Sequence, residues 1–279
     1  MITTRLFLTA NKFLFFGLMA LMVIGCKQQS NSDTQEQTVA EQPVVASEED
    51  VEEVVSGPFD FFPTSTTGAI VTRDSYAFSY SEEHEQSEWV AYELDADDFS
   101  NRNFDRPFFI EDPKVKTHSA DWRNYKNSGY DKGHLCPAGD RKASYDSYKE
   151  TFYTSNISPQ RHDFNEGVWN RLEQKTRYWA RKYDGLYVVT GGVLSDNLKT
   201  IGKEDVSVPN YFYKVLMTKD KSKIIGFLVP HKDSDAPLYD FVVDVDTIEK
   251  MTGIDFYTKL SDGIETKMER SNDYKSWSF

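Results

Sequence analysis

Cysteine is nearly absent from the chain: its 279 residues include two, Cys26 and Cys136. A disulfide framework of the kind that staples small exported domains is thereby excluded, and stability has to come from a buried core. Histidine is sparse as well, five in all. His84, His118 and His231 stand at no metal-ligand spacing, which argues against a zinc site. No apolar run is long enough to span a membrane: the longest, Phe13–Gly25, has 13 residues, where a spanning helix needs roughly 20. No internal repeat is present. Positive charge is in short supply, with 32 Lys and Arg against 45 Asp and Glu and a net charge of -13. Taken alone, that balance disfavours a polyanionic partner.

The charge is, however, unevenly spread. Residues 27–57 carry one Lys against eight acids, whereas 102–142 carries nine Lys or Arg against six acids and 161–182 six against three. An acidic body with a basic cleft is compatible with a polyanion, with weaker long-range steering than a basic protein would give. Residues 1–25 read as a secretory signal, Arg5 and Lys12 supplying positive charge around the start of the short apolar run. The run ends Val23-Ile24-Gly25-Cys26, which resembles a bacterial lipobox, where the cysteine becomes the lipidated first residue of the mature chain. The expectation is an exported lipoprotein held to a membrane through Cys26, on its periplasmic or cell-surface side. A plain signal peptide or a short membrane anchor is the alternative. Residues 26–57 then form an acidic tether without periodicity, and 58–279 the remaining domain. With 39% apolar and 14% aromatic residues the chain can build a real core.

Ala77–Tyr80 and Glu88–Leu94 read as two strands joined by the polar 81–87, and Gly185–Leu194, Asn210–Lys219 and Lys223–Pro230 as three more. Tyr239–Val245 reads as a further strand, and Asp246–Thr252 as a short helix capped by Asp246 and closed by Gly253. The clearest helix covers about Phe164–Tyr183, where Val168, Leu172, Thr176, Trp179 and Tyr183 repeat on one face. Strands grouped before and after a long helix, without regular alternation, point to an α+β fold with a largely antiparallel central sheet flanked by helices.

Two clusters carry the chemistry. In the first, Asp131-Lys132-Gly133-His134-Leu135-Cys136-Pro137-Ala138-Gly139-Asp140-Arg141, an imidazole follows a glycine that permits close backbone approach. Arg106, Lys114, Lys116 and Arg123 lie upstream, so the surroundings suit a phosphate-facing histidine. A structural histidine is the competing reading, and Cys136 reads as a small apolar residue behind the site. In the second cluster Asn165 stands where the long helix starts, a common N-cap position. Glu173 follows by eight residues, just over two turns, and so falls near the same face. Gly167 in the first turn weakens the helix by about 1 kcal/mol against Ala, which implies that something packs or binds close there. His162, three residues before Asn165, reads as a surface histidine.

Asp131-Lys132-Gly133-His134, then Ser155-Asn156-Ile157-Ser158-Pro159-Gln160, then Phe164-Asn165-Glu166-Gly167-Val168-Trp169-Asn170-Arg171-Leu172-Glu173, together resemble the DNA/RNA non-specific endonuclease family. The resemblance runs from about Ala77 to Leu260 and implies the ββα-metal nuclease fold. It implies His134 as general base, Asn165 as the direct protein ligand of a catalytic Mg²⁺, and Glu173 as a carboxylate reaching that ion through water. It further implies Arg106 at the phosphate, Asn156 in a supporting hydrogen-bond role, Asp131 as a supporting acid of the histidine motif, and Arg177 on the leaving side. Mn²⁺ is a plausible substitute for the ion. Lys132 departs from the arginine usual in the family, keeping the charge without the bidentate fork.

The chemistry accounts for these residue types. A phosphodiester is anionic, so a hard cation lowers the barrier to attack, and Mg²⁺ favours oxygen ligands while retaining several waters. A neutral imidazole can take the proton of a water near neutral pH. Contacts limited to phosphate and sugar read no sequence, which accounts for broad action on DNA and RNA, and the resemblance to the family implies 5′-phosphate and 3′-hydroxyl products. The competing reading is a nucleic-acid-binding surface lipoprotein with a degenerate nuclease fold, against which His134, Asn165 and Glu173 all survive together.

Overall fold

Alternation along the central strands decides the architecture. Within Gln86–Leu94, Val90, Tyr92 and Leu94 enter one apolar cluster, while Trp89 and Ala91 enter a second on the opposite face. Within Tyr211–Thr218, Phe212 and Leu216 face the first cluster, and Tyr213, Val215 and Met217 the second. A strand apolar on both faces has to lie inside a covered sheet. The protein is described by a computed structural model at residues 60–261, 263, 269, 270 and 273–279. The expected signal segment, Cys26 and the tether lie outside the described residues. Among the described residues no helix is long and apolar enough to cross a membrane.

The strands are β1 (Ile70–Thr72), β2 (Ala77–Ser81), β3 (Gln86–Leu94), β4 (Asp131–His134), β5 (Ile157–Gln160), β6 (Leu186–Gly192), β7 (Lys199–Ile201), β8 (Val206–Val208), β9 (Tyr211–Thr218), β10 (Ile224–Pro230) and β11 (Val242–Val243). The helices are α1 (Tyr145–Glu150), α2 (His162–Phe164), α3 (Asn170–Lys182) and α4 (Val245–Thr252). Seven strands form one sheet in the order β1-β2-β3-β6-β9-β10-β11, every neighbour antiparallel. α3 covers one face through Leu172, Trp179 and Ala180, and α4 the other through Val245 and Ile248. The expected α+β class and all five central strands are therefore present.

Two further ladders, β4-β5 and β7-β8, stand apart from the sheet. They frame a third apolar cluster of Phe109, Tyr125, Tyr148, Phe152, Ile157, Ile201, Val206 and Val208. The β4-β5 ladder sits on the third cluster through Ile157, while Leu135 and Cys136, just beyond the histidine, enter the first cluster together with the asparagine-bearing segment.

Three expectations need correction. The long helix is broken: α2 and α3 are separated by Asn165–Trp169, one wide π-type turn in which Gly167 leaves helical geometry at φ -90°, ψ -112°. Helix α4 starts at Val245, capped by Asp244, whose Oδ1 accepts from the Thr247 N–H at 2.8 Å; Gly253 closes it at φ 72° as expected. The stretch 239–245 is a strand only at Val242–Val243, preceded by a 3₁₀ turn over Leu238–Phe241. Pro237 pre-sets that turn, and Leu238, Phe241 and Val242 then pack on the first cluster at helical spacing.

Candidate active site

Strand β4 pairs with β5 so that His134 lies opposite Ile157 and Asp131 opposite Gln160. Packing demands the glycine of this motif: a Cβ on Gly133 would overlap the wholly buried Gln160 side chain. Beyond His134 the chain is clamped by Asn156. The Leu135 N–H donates to the Asn156 carbonyl at 2.9 Å, and the Cys136 N–H to Asn156 Oδ1 at 2.8 Å. Asn156 Nδ2 in turn donates to the carbonyls of Cys136 at 2.9 Å and Thr151 at 3.0 Å. Cys136 is fully buried, and burial pushes its thiol up to about 12.

The His134 ring rests on two aromatic rings, Phe109 at 5.6 Å and Phe152 at 5.2 Å between centroids. Arg106 lies over the same two rings at 5.6 Å, and the Lys132 ammonium over Phe109 at 5.3 Å. Two cations therefore share one aromatic floor with the imidazole. Burial, with Arg106 adding, lowers the His134 pKa to about 3, so the ring is neutral at any ordinary pH. Its Nε2 is buried and has no hydrogen-bond partner, a costly state for a polar atom unless something else uses it.

Across from the hairpin, the wide turn presents Asn165. Its backbone is helical at φ -61°, ψ -48°, and its N–H donates to the Arg161 carbonyl at 2.9 Å, so it is not the N-cap that its position in the sequence suggests. Asn165 Nδ2 donates to Asp131 Oδ2 at 3.1 Å. That bond commits the nitrogen side of the carboxamide and leaves Oδ1 as the atom available to a cation. Asp131 Oδ2 also meets His162 Nδ1 at 2.9 Å, and His162 Nε2 lies 3.3 Å from Glu166 Oε2. His162 is a surface residue, as expected, and its carboxylate neighbours, Asp131 foremost, raise its pKa.

His134, Asn165, Glu173 and Arg177 line one cleft of about 250 Å³, together with Asn170 and the turn Pro137–Gly139. Burial raises the Glu173 carboxyl, opposed chiefly by Lys214. Lys214 is fully buried on β9 with its ammonium 5.0 Å from the Trp169 ring centroid. Arg177 Nη1 donates to the buried Asp140 Oδ1 at 2.6 Å, and Tyr92 Oη donates to Asp140 Oδ2 at 3.0 Å. A larger depression of about 600 Å³ lies between residues 121–128 and 199–204 but is lined by no histidine.

Sequence comparison gives the family. The model of the DNA/RNA non-specific endonuclease family matches residues 60–263. The chain belongs to that family. It is 35% identical over 209 residues to the mitochondrial nuclease EXOG of Danio rerio, covering 67% of this chain and 60% of that protein. It is 32% identical over 219 residues to nuclease C1 of Cunninghamella echinulata var. echinulata (72% and 87% covered), and 32% over 209 residues to human mitochondrial endonuclease G (68% and 69%). The aligned region spans 48% of the Xenopus laevis EXOG nuclease, so the chain matches about half to two thirds of the length of these EXOG relatives. The solved complex of EndoG with EndoGI aligns at a TM-score of 0.64 and 28% identity, over 69% of this chain and 86% of that one. The fold is that of the family, an α+β nuclease fold on a mostly antiparallel sheet.

Within this family member, the residues expected at the site divide into two groups. His134, Asn165, Glu173 and Arg177 meet at the cleft, and Arg106 and Lys132 flank the histidine on its aromatic floor. Asn156 does not line the cleft; its carboxamide is fully engaged with backbone, and it is a positioning residue. Asp131 also acts through another residue, orienting Asn165. Sequence reasoning missed Asn170, Asp140 and Lys214. Asn170 falls within the quoted motif and was readable there. Lys214 interrupts an apolar strand, which is a signal in itself. Asp140 lies within the histidine cluster 131–141, though nothing in its spacing assigns it a role.

Proposed function

We propose that the chain is a metal-dependent endonuclease that hydrolyses phosphodiester bonds of DNA and RNA with little sequence preference. The observation that carries this reading is the orphaned His134 Nε2 bordering the same cleft as Asn165 and Glu173. The donor set suits a hard divalent cation: one carboxamide oxygen left over by the Asp131 bond, a carboxylate, and space for water. Asn165 would hold the ion directly and Glu173 through water, with Mg²⁺ the ion of choice and Mn²⁺ a substitute. When bound, the ion supplies charge neutralisation at the scissile phosphate and the departing oxygen.

The remaining steps belong to the protein. Arg106 and Lys132 draw the phosphate against the aromatic floor. His134 Nε2 accepts a proton from water as its oxygen attacks phosphorus. The bond from phosphorus to the 3′ oxygen breaks, the leaving oxygen takes up a proton from solvent water, the His134 imidazolium returns its proton to solvent, and the products carry 5′-phosphate and 3′-hydroxyl. An imidazole of pKa about 3 is a weak base. An anionic phosphate arriving beside Arg106 offsets the smaller of the two causes, the neighbouring cation, while burial, the larger one, persists. Arg177, anchored to Asp140, supplies positive charge on the far side of the cleft. Contacts of this kind read phosphate and not base edges.

The lipobox-like Val23-Ile24-Gly25-Cys26 supports an exported protein, lipid-anchored through Cys26, with residues 26–57 as its tether. Labelled-palmitate incorporation lost in Cys26→Ser tests that part. For the enzyme, purified full-length chain with Mg²⁺ degrades both plasmid DNA and ribosomal RNA, EDTA stops it, and His134→Ala lowers the rate by roughly 10²–10⁴-fold while staying folded. Intact plasmid and RNA after incubation with the wild type and either Mg²⁺ or Mn²⁺ would overturn the reading. A gel shift without cleavage would favour the binding lipoprotein instead.

A further inference from the structure

The wide turn that carries Asn165 does not hold itself. Gly167 breaks its geometry, and no side chain caps its start at Phe164. The segment following β10 wraps around it. His231 Nε2 accepts the Arg161 backbone N–H at 2.7 Å, one turn ahead of Asn165, whose own N–H donates to the Arg161 carbonyl at 2.9 Å. His231 Nδ1 meets the Pro209 carbonyl at 2.8 Å. Asp233 sits where a side chain on Gly167 would go, and Arg171 Nη2 donates to the carbonyls of Ser234 at 2.5 Å and Ala236 at 3.1 Å.

The two bonds of His231 fix its tautomer. A carbonyl can only accept, so Nδ1 carries the proton; a backbone N–H can only donate, so Nε2 is a bare acceptor. The ring is held edge-to-face by Phe164 and Phe212, each at 5.0 Å. Phe164 is the residue immediately before Asn165. A rigid imidazole therefore joins the sheet side of the fold, through Pro209, to Arg161, the residue whose carbonyl accepts the hydrogen bond of Asn165.

We infer that His231 is a positioning residue: a latch whose Nε2 bond to Arg161 sets the turn, and with it the carboxamide oxygen that receives the metal. The inference rests on reading Asn165 as the metal ligand. Outer partners of this kind typically change metal affinity by roughly 10–100-fold when removed. Packing and hydrogen bonding can be separated. His231→Phe keeps an aromatic ring against Phe164 and Phe212 without an acceptor; His231→Gln keeps one donor and one acceptor.

The experiment is Mn²⁺ titration calorimetry on full-length protein, with kcat and KM for plasmid DNA alongside. His231→Phe weakens Mn²⁺ binding by roughly 10–100-fold and lowers kcat at subsaturating metal, with KM for DNA unchanged. His231→Gln restores most of the affinity. Wild-type Mn²⁺ affinity in the Phe variant overturns the latch, as does a Gln variant that falls equally far. Should the Phe variant fail to fold, the Gln variant compared with His231→Ala makes the same distinction. Asn165→Ala separates the two readings: it abolishes Mn²⁺ binding if the metal assignment holds, and unchanged binding there sinks that assignment whatever His231 does.

Discussion

At the scale of single residues, the site is a set of polar atoms whose freedom has been removed in advance. Asp131 makes a carboxamide choose which end to offer, and Asn156 straightens the peptide after the histidine without touching the cleft. Asp131→Ala should therefore weaken Mn²⁺ affinity by roughly 10–100-fold with little loss of melting temperature, because the change releases the carboxamide and leaves the hairpin intact. Equal affinity in calorimetry would show that Asn165 is oriented by something else. Gly133→Ala acts the opposite way. Its methyl group meets Gln160 inside a closed ladder. The variant should lose about 1–3 kcal/mol in urea unfolding, as overpacking does.

At the scale of elements, legibility in the sequence followed periodicity. The five central strands and the buried stripe Val168, Leu172, Thr176 and Trp179 stood out because apolar residues recur at strand or helix spacing. The histidine hairpin did not. Its four-residue strand holds two charges, a glycine and an imidazole, so there is no apolar alternation to read, and its pairing with β5 depends on Gln160 and Asn156. The break at Asn165–Trp169 was hidden for another reason: the apolar spacing carries on through the wide turn, and only Gly167 marks it. Motif spacing nonetheless singled out His134, Asn165 and Glu173, which line one cleft, since both clusters were legible even where their backbone was not.

The element that follows β10 also carries a pH dependence. Burial depresses the His231 imidazole, with Arg161 adding and the Pro209 carbonyl and Asp163 opposing; Tyr130, 6.1 Å away, bears on it from the hairpin side. The unfolded chain takes up a proton near pH 6.5 that the folded protein declines until lower pH. Folding thus gains from this group above about 6.5 and loses that gain as pH falls through the depressed folded value. Between about pH 7 and pH 5, calorimetric melting of the wild type should fall further than that of His231→Gln. Parallel declines would argue that His231 is not held neutral.

At the scale of the whole molecule, the proposed function asks an acidic chain to attract a polyanion through a small cationic region. Arg106 and Lys132 lie on one aromatic floor within a protein of net charge -13. Affinity for DNA, measured with the inactive His134→Ala protein, should fall linearly with the logarithm of salt concentration. The slope should be shallow, and replacing either cation by Gln should reduce it by about one unit. A slope unchanged in both variants would move the phosphate contacts elsewhere on the surface.

Cys136, two residues beyond His134, has no exposed surface, and burial pushes its thiol up to about 12. An alkylating reagent can reach it only when the hairpin lifts away from the body. In a Cys26→Ser background, the rate at which maleimide labels the protein therefore reports opening at the active centre itself, without any engineered probe. Loading the site with Mn²⁺ should slow that labelling if metal closes the cleft. A rate that ignores the ion would mean that the hairpin opens independently of what the neighbouring asparagine holds.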